Sequence, residues 1–497
     1  MNFAQTAKMN AQIKRTENGA LAYNSVNNPL VELFAQIGAL RPRTENEIRT
    51  KFAEAYASDA KLATKMLFYA GDIRNGGLGE RRTFRICLKW LAQNYPSVVR
   101  DNLVNIPHFN RWDSLFTLVG TSVEKDMWQY VSDQLNLDMA AVINERKGGK
   151  RAGISLLAKW MPTETAHAKE TRELAKRAIR ALHVTPRQYR KMLSALRAHL
   201  NVVESLMSAG EWDKVEYPAV PSYAMKNYRK AFSRHDLSRL GEYIESLKKG
   251  EVKVNASTLF PYDLVHQYMG KRQWNRATAP DDIIEAQWKA LPNYVDGENN
   301  ILVMADVSGS MMGRPMESSV GLATYFAQRN NSDYHGLYMT FTNSPSFIDI
   351  SNKTTLASCV DYVMQTGVGY STNLDKAFEK VLFHALEHRI LNRDLPKALV
   401  VISDMEIDHF FTGHRKFDFV QKWKMEFAKF GYTLPKLVMW NVEARNDTFL
   451  SQSEDVVLVS GQSASTFKNL CKALDGMTAY QYMVEVLSNP AYDCVVV

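Results

Sequence analysis

Two hydrophobic spacings divide the chain. Through most of the first 290 residues, apolar positions recur every three or four residues, the period of an amphipathic helix. The spacing predicts helices over 45–57, 59–70, 81–94, 121–145, 165–182, 186–200, 221–234 and 237–249. Gly-bearing stretches such as NGGLGE (75–80) and ERKGGKRAG (145–153) punctuate them. No fixed repeat length emerges, so an irregular, HEAT-like stack of helical pairs is expected. Near residue 298 the pattern changes. ILVMADVS (301–308), GLYMTF (336–341), ALVVIS (398–403), KLVMWNV (436–442) and VVLVS (456–460) are short apolar runs rich in β-branched residues. Helical patterns over 315–329, 374–388, 414–430 and 465–474 separate them. Strands of this kind alternating with helices predict a largely parallel sheet covered on both faces.

The expected fold class is therefore multidomain, an all-α helical-repeat N-terminal domain followed by an α/β doubly wound C-terminal domain. The expected divisions are a flexible segment over 1–25, a helical domain over 26–290 and an α/β domain over 298–497. The linker falls near 279–300, where Pro, Gly and acids mix. A chain of 497 residues exceeds the roughly 250–300 residues at which single cores stop growing.

The sharpest chemical signal lies where the first α/β strand ends. Asp306-Val307-Ser308-Gly309-Ser310 forms a D-x-S-x-S turn between a strand and a helix. That is the carboxyl edge of the sheet, where open α/β folds bind ligands. One carboxylate and two hydroxyls at a spacing of two suit a hard cation, Mg²⁺ or Mn²⁺. Further ligands should come from other strand ends: Ser371-Thr372-Asn373 opens one helix, and Asp404 follows the strand ALVVIS. Glu406 and Asp408 add two acids, which alternation along a strand end explains as a solvated edge. A hydrolytic metal site needs an activated water beside a base, or a second metal. The nearest histidines, His409 and His414, lack ligand-like spacing. A binding site rather than an enzyme is expected.

Charge changes the picture of the first part. Residues 1–290 hold 44 Lys/Arg against 30 Asp/Glu, and residues 291–497 hold 17 against 23. Three helical windows contain no acid: Arg81, Arg82 and their neighbours; Lys176, Arg177, Arg180, Arg187, Arg190, Lys191 and Arg197; and Lys226, Arg229, Lys230 and Arg234. Ordinary helical surfaces mix signs to gain i,i+4 pairs, so such gaps favour an anionic partner. In 186–200, Tyr189, Met192, Leu193, Leu196 and Leu200 share one arc, and Arg187, Arg190, Lys191 and Arg197 the opposite one. Tyr223, Tyr228 and Phe232 accompany the third window. They suit base stacking, although positions 225, 228 and 232 also fit a core stripe. The four cysteines are scattered and the first residues have no apolar core. No run approaches the ~20 apolar residues of a membrane span. A soluble, cytoplasmic, monomeric chain is expected.

DVSGSM, with Thr372 and Asp404 following in order, resembles a von Willebrand factor A (vWA) domain bearing a metal-ion-dependent adhesion site. The resemblance implies that Ser308, Ser310 and Thr372 hold Mg²⁺ or Mn²⁺ directly or through water, with Asp306 and Asp404 behind them. A basic helical domain followed by a vWA domain resembles the Ro autoantigen (TROVE plus vWA) architecture. It looks closer still to a family of plants, fungi, bacteria and large viruses with the same layout. KMLFYAGDIRNGGLGERRTFRICLKWL (65–91), RWDSLFTLVG (111–120), SLLAKWMPTE (155–164), the stretch over 190–236, NASTLFPYDLVHQ (255–267), SDMEID and KLVMWNVEA carry that likeness. It implies a helical ring that binds structured small RNA or single-stranded RNA ends without enzymatic activity. The alternative is a protein–protein adaptor whose metal captures a partner carboxylate.

Overall fold

A six-stranded sheet organises the second half of the chain in the computed structural model. The structure describes residues 12–150, 153–270, 278–295, 300–366, 369, 371–408, 419–453, 456–473 and 476–497. The strands are β1 (Ile13–Arg15), β2 (Leu21–Tyr23), β3 (Ile301–Asp306), β4 (Leu337–Phe341), β5 (Ser346–Asp349), β6 (Ala398–Ser403), β7 (Lys436–Asn441) and β8 (Val457–Ser460). The large sheet has the order β5-β4-β3-β6-β7-β8. Every pairing in it is parallel except β4 with β5.

β3 and β6 are buried at all six positions, as strands covered on both faces must be. Helices Arg314–Arg329, Leu374–Glu387 and Phe419–Lys429 fall where the periodicity predicts them. The first turn expected for the last of these, with His409 and His414, lies outside the described residues. The antiparallel β5 follows β4 through a short turn and is too short for alternation to announce.

The chain forms two compact units, and their boundary is not the one expected near 290–298. One unit gathers residues 1–83 and 256–492; the other holds residues 84–255 and 493–497. Several N-terminal helices therefore belong with the sheet. Helix Pro261–Met269 packs on helix Arg314–Arg329 so closely that a Cβ on Gly321 would sit 3.1 Å from the carbonyl carbon of Pro261. Helix Pro29–Phe34, capped by the Asn28 side chain, leads to Gly38 beside β8. A Cβ there would lie 2.6 Å from the Gly461 Cα. Amphipathic spacing marks these helices as packed but does not say against what.

The first segment also departs from expectation. Residues 1–11 lie outside the described residues, but 12–25 are ordered. β1 and β2 pair antiparallel, with Ile13 opposite Tyr23. Isolated bridges join Gly19 to Asp408 and Tyr23 to Phe449. Ala20, Ala22 and Tyr23 are buried in the same core as β6 residues Leu399 and Val401. Strands of three residues are too short for period-two alternation to show in a polar sequence.

The second unit is helical among its described residues. It includes helices Glu124–Arg146, Lys169–Ala181, Pro186–His199, Ser222–His235 and Leu237–Lys249. Thr185 and Gln188 close a reciprocal cap on Pro186–His199, and Tyr189, Leu193 and Leu196 are its buried face. This unit carries 28 Lys/Arg and 19 Asp/Glu, a surplus of nine, whereas the sheet unit carries 33 and 34. No helix among the described residues is long and apolar enough to cross a membrane.

Candidate metal centre

β3 and β6 are neighbours at the point where the strand order turns: β4 and β5 lie to one side, β7 and β8 to the other. In such sheets the loops leaving the two switch-point strands diverge and leave a crevice. Asp306 is the last residue of β3, and Asp404 follows the last residue of β6. Sheet topology thus brings together two residues almost a hundred positions apart.

The loop after β3 folds back on its own aspartate. Ser308 N–H donates to Asp306 Oδ1 at 3.0 Å, and the Ser308 and Ser310 hydroxyl oxygens are 3.2 Å apart. The Ser403 hydroxyl joins the strands, donating to Asp306 Oδ2 at 2.6 Å and lying 3.4 Å from Asp404 Oδ1. It accepts in turn from Met405 N–H at 3.1 Å. Met405 takes φ +66°, a conformation that costs a residue with a Cβ about 1–2 kcal/mol. The turn places Glu406 N–H 3.1 Å from Asp404 Oδ1, as donor.

Asp306, Ser308 and Asp404 are buried, at 0%, 0% and 1% exposure. Burial, followed by repulsion from Asp404, pushes the Asp306 carboxyl up to about 7. Burial also raises Asp404. Two carboxylates so close and so dry call for positive charge. Arg445 supplies some of it: Nη2 bonds Asp404 Oδ2 and donates to the Ser310 carbonyl at 2.9 Å. Arg445 also lies 3.7 Å from Glu17 and 3.8 Å from Glu443.

Thr372 is buried at 1% exposure, just before helix Leu374–Glu387. Its N–H donates to Asp408 Oδ2 at 2.7 Å, and its carbonyl accepts from Asp408 N–H at 2.9 Å. This double tie fixes the third loop to the segment that follows Asp404. The acids at 406 and 408 are therefore not a solvated edge. Glu406 is 1% exposed and accepts from Glu17 N–H at 2.6 Å and from the Thr448 hydroxyl at 3.0 Å. Thr16 and Asn18 donate to the carbonyls of Ile407 and Glu406. Glu406 anchors the N-terminal hairpin, and Asp408 anchors Thr372.

The donor set fits a hard divalent cation. The Ser308 and Ser310 oxygens are close enough to face one ion, and two carboxyls stand behind them. Mg²⁺ or Mn²⁺ held by Ser308, Ser310 and Thr372 would offset the two buried charges. Among the described residues, no three His, Cys, Asp or Glu side chains gather as a metal-binding group. A centre here would rely on hydroxyls as much as on acids. D-x-S-x-S marks the loop that would form its core. Ser403 and Arg445 carry no motif: a strand's last serine and an arginine after β7 acquire their roles only when the strands pair.

The basic candidates are less united. Arg81 and Arg82 lie in the sheet unit, where Arg82 donates to the carbonyls of Arg41 and Arg43. Arg197 is tied to the Ala158 and Met161 carbonyls. Lys226 and Arg229 are buried; Lys226 covers the Tyr223 ring, and Arg229 donates to the Lys226 carbonyl. Lys176, Arg177 and Arg190 pair with Glu173, Glu124 and Glu164. Arg180, Arg187, Lys191, Lys230 and Arg234 are exposed and make no ion pair among the described residues. Met225 and Phe232 are core residues and Tyr228 is half-buried, so that stripe serves packing.

The comparisons divide the chain much as its sequence pattern does. Residues 300–485 match the family described as "Domain of unknown function (DUF7788)". Residues 16–112 and 164–298 match "Domain of unknown function (DUF2828)". Over 501 aligned residues the chain is 29% identical to an uncharacterized protein of Acanthamoeba polyphaga mimivirus, covering 93% of this chain and 85% of that protein. The likeness spans both parts of the chain, helical and α/β.

Proposed function

We propose that the chain is a non-enzymatic binding protein whose sheet edge acts as a vWA-like metal-ion-dependent adhesion site. Ser308, Ser310 and Thr372 hold Mg²⁺ or Mn²⁺, Asp306 and Asp404 balance its charge, and the cation takes a carboxylate from a protein partner. One observation carries this reading: Asp306 and Asp404, from adjacent switch-point strands, converge on the Ser403 hydroxyl beside the paired Ser308 and Ser310 oxygens. A small hard cation keeps coordination positions for water or an incoming carboxylate. The nearby acids Glu406 and Asp408 are committed to the hairpin and to Thr372, which leaves neither as a general base. The test is retention of partner protein by the immobilised chain. EDTA and Asp306→Ala should each release it, and retention unaffected by both overturns the reading.

A second reading, a Ro-like RNA-binding protein, is favoured by the charge division. The full basic surplus of nine sits in the helical unit, while the sheet unit is near neutral. Arg187 and Lys191, exposed four residues apart on helix Pro186–His199, and Arg180, exposed on the preceding helix, are its cationic candidates, and structured small RNA or single-stranded ends are its expected ligands. Such binding should fall steeply with salt as phosphate contacts release counterions. Affinity for a small structured RNA that ignores salt would reject it.

A further inference from the structure

Arg445 reaches the acidic pair from outside the motif. Its Nη2 bonds Asp404 Oδ2 and the Ser310 carbonyl together, bridging the loop after β3 to the residue after β6. Both acceptors belong to segments assigned here to the cation. The same guanidinium faces two further acids: Nη1 is 3.7 Å from Glu17, on the N-terminal hairpin, and Nε is 3.8 Å from Glu443, two residues before it. The guanidinium as a whole is partly exposed, at 28% for the side chain, whereas Asp404 is fully enclosed. Nε is nonetheless buried with no hydrogen-bond partner, so the present position leaves one donor unsatisfied.

We propose that Arg445 is a tethered counter-cation that sets the cation affinity of this site by competing for it. It is a positioning residue, and the proposal rests on the adhesion-site reading. With Arg445 on Asp404 and Ser310, the buried pair is already partly neutralised, so an arriving divalent ion meets less negative potential and a bridged, closed loop. Loading the ion weakens that hold, because two cations cannot share Asp404 without repulsion. Glu17 and Glu443, already 3.7 Å and 3.8 Å from the guanidinium, receive it when it leaves. Moving from Asp404 to Glu17 links site occupancy to the hairpin that Glu406 anchors.

The opposite assignment, a fixed structural arginine, makes different predictions. A structural arginine would be indifferent to the metal, and its loss would disturb the loop and weaken any cation binding. A competitor, when removed, tightens binding.

The experiment is titration of the full chain with Mn²⁺, read by calorimetry, for wild type, Arg445→Gln, Arg445→Lys and the double variant Glu17→Gln/Glu443→Gln. Arg445→Gln should bind Mn²⁺ at least tenfold more tightly. Arg445→Lys, able to reach one acceptor at a time, should fall between it and wild type. Removing both receiving acids should weaken binding several-fold, since the displaced guanidinium loses its destination. If wild type binds Mn²⁺ and Arg445→Gln binds equally or more weakly, Arg445 does not compete and this inference alone fails. If neither binds, the adhesion-site reading fails and takes this inference with it. Should Arg445→Gln not fold, the Lys variant and the double variant decide: affinities unchanged from wild type in both overturn the proposal.

Discussion

The Ser403 hydroxyl donates to Asp306 at 2.6 Å inside a site with no exposure at either residue. This contact adds a buried side-chain tie at the carboxyl end of two strands that already pair in the sheet. Losing a partner strands a buried polar group at a cost of about 1–3 kcal/mol. Ser403→Ala should lower unfolding stability by that amount in urea denaturation, and weaken Mn²⁺ binding because Asp306 loses an orienting donor. Undiminished stability would show that the hydroxyl is not needed between the strands.

The cation should stabilise the fold by mass action. At a concentration one hundred times its dissociation constant, a ligand of the native state adds about 2.7 kcal/mol. Mg²⁺ or Mn²⁺ should raise the melting temperature of wild type, EDTA should remove the gain, and Ser308→Ala/Ser310→Ala should not respond. A melting temperature indifferent to all three would count against the donor set.

Close backbone approach makes Gly38 a sensitive position. A Cβ there would sit 2.6 Å from the Gly461 Cα and 2.8 Å from the Ser460 carbonyl carbon. Gly38 N–H also donates to the Ser460 hydroxyl, which donates to the Phe34 carbonyl. Gly38→Ala should cost about 1–3 kcal/mol, the usual penalty of overpacking. Chemical denaturation reads it, and Gly241→Ala, where nothing lies within 4 Å of the added Cβ and φ is not positive, is the control for space.

Thr44 caps helix Glu45–Ser58 reciprocally with Glu47. The Thr44 hydroxyl, then its backbone N–H, then Arg43 hold the Glu47 carboxyl down at about 2. A folded-state value below the unfolded one means that this group stabilises the fold above the ordinary carboxylate range. That stability is lost as pH falls through about 4 towards 2. Thr44→Ala should cost about 1 kcal/mol near neutrality, and its deficit should shrink over that acid window. A deficit constant from pH 7 to pH 2 would contradict the coupling.

The exposed strip on helix Pro186–His199 tests the RNA reading. Arg187→Glu/Lys191→Glu leaves the buried Tyr189, Leu193 and Leu196 face untouched, so the fold should persist. Affinity for a small structured RNA should drop at least tenfold and its salt dependence should flatten. Unchanged affinity removes these residues from any nucleic-acid contact.

Periodicity located elements well and neighbours poorly. Residues 81–94 and 237–249 are helices to the residue, and 398–403 is strand β6 to the residue, because long amphipathic or apolar runs read directly. The hairpin Ile13–Tyr23 was invisible, since three-residue strands cannot display alternation. The unit boundary was equally hidden: helix Pro261–Met269 looks like any amphipathic helix, and only its partner, Arg314–Arg329, assigns it to the sheet unit. At the site, Asp306, Ser308 and Ser310 were legible from local spacing, and Asp404 from its place after a strand. Arg445 was not, because its link to Asp404 depends on β6 and β7 pairing. Cation counts overstated the basic face. Sequence shows where acids are missing along a helix, but not that Glu124 and Glu164 reach Arg177 and Arg190 from elsewhere in the chain.

Everything at the sheet edge turns on whether the Asp306–Ser308–Ser310 loop takes a divalent ion. Calorimetric titration of the full chain with Mn²⁺, beside Asp306→Asn at matched stability, measures that directly. The account predicts one Mn²⁺ per wild-type chain and none, or at least a hundredfold weaker uptake, in the variant. No uptake by wild type, or equal uptake by both, contradicts it.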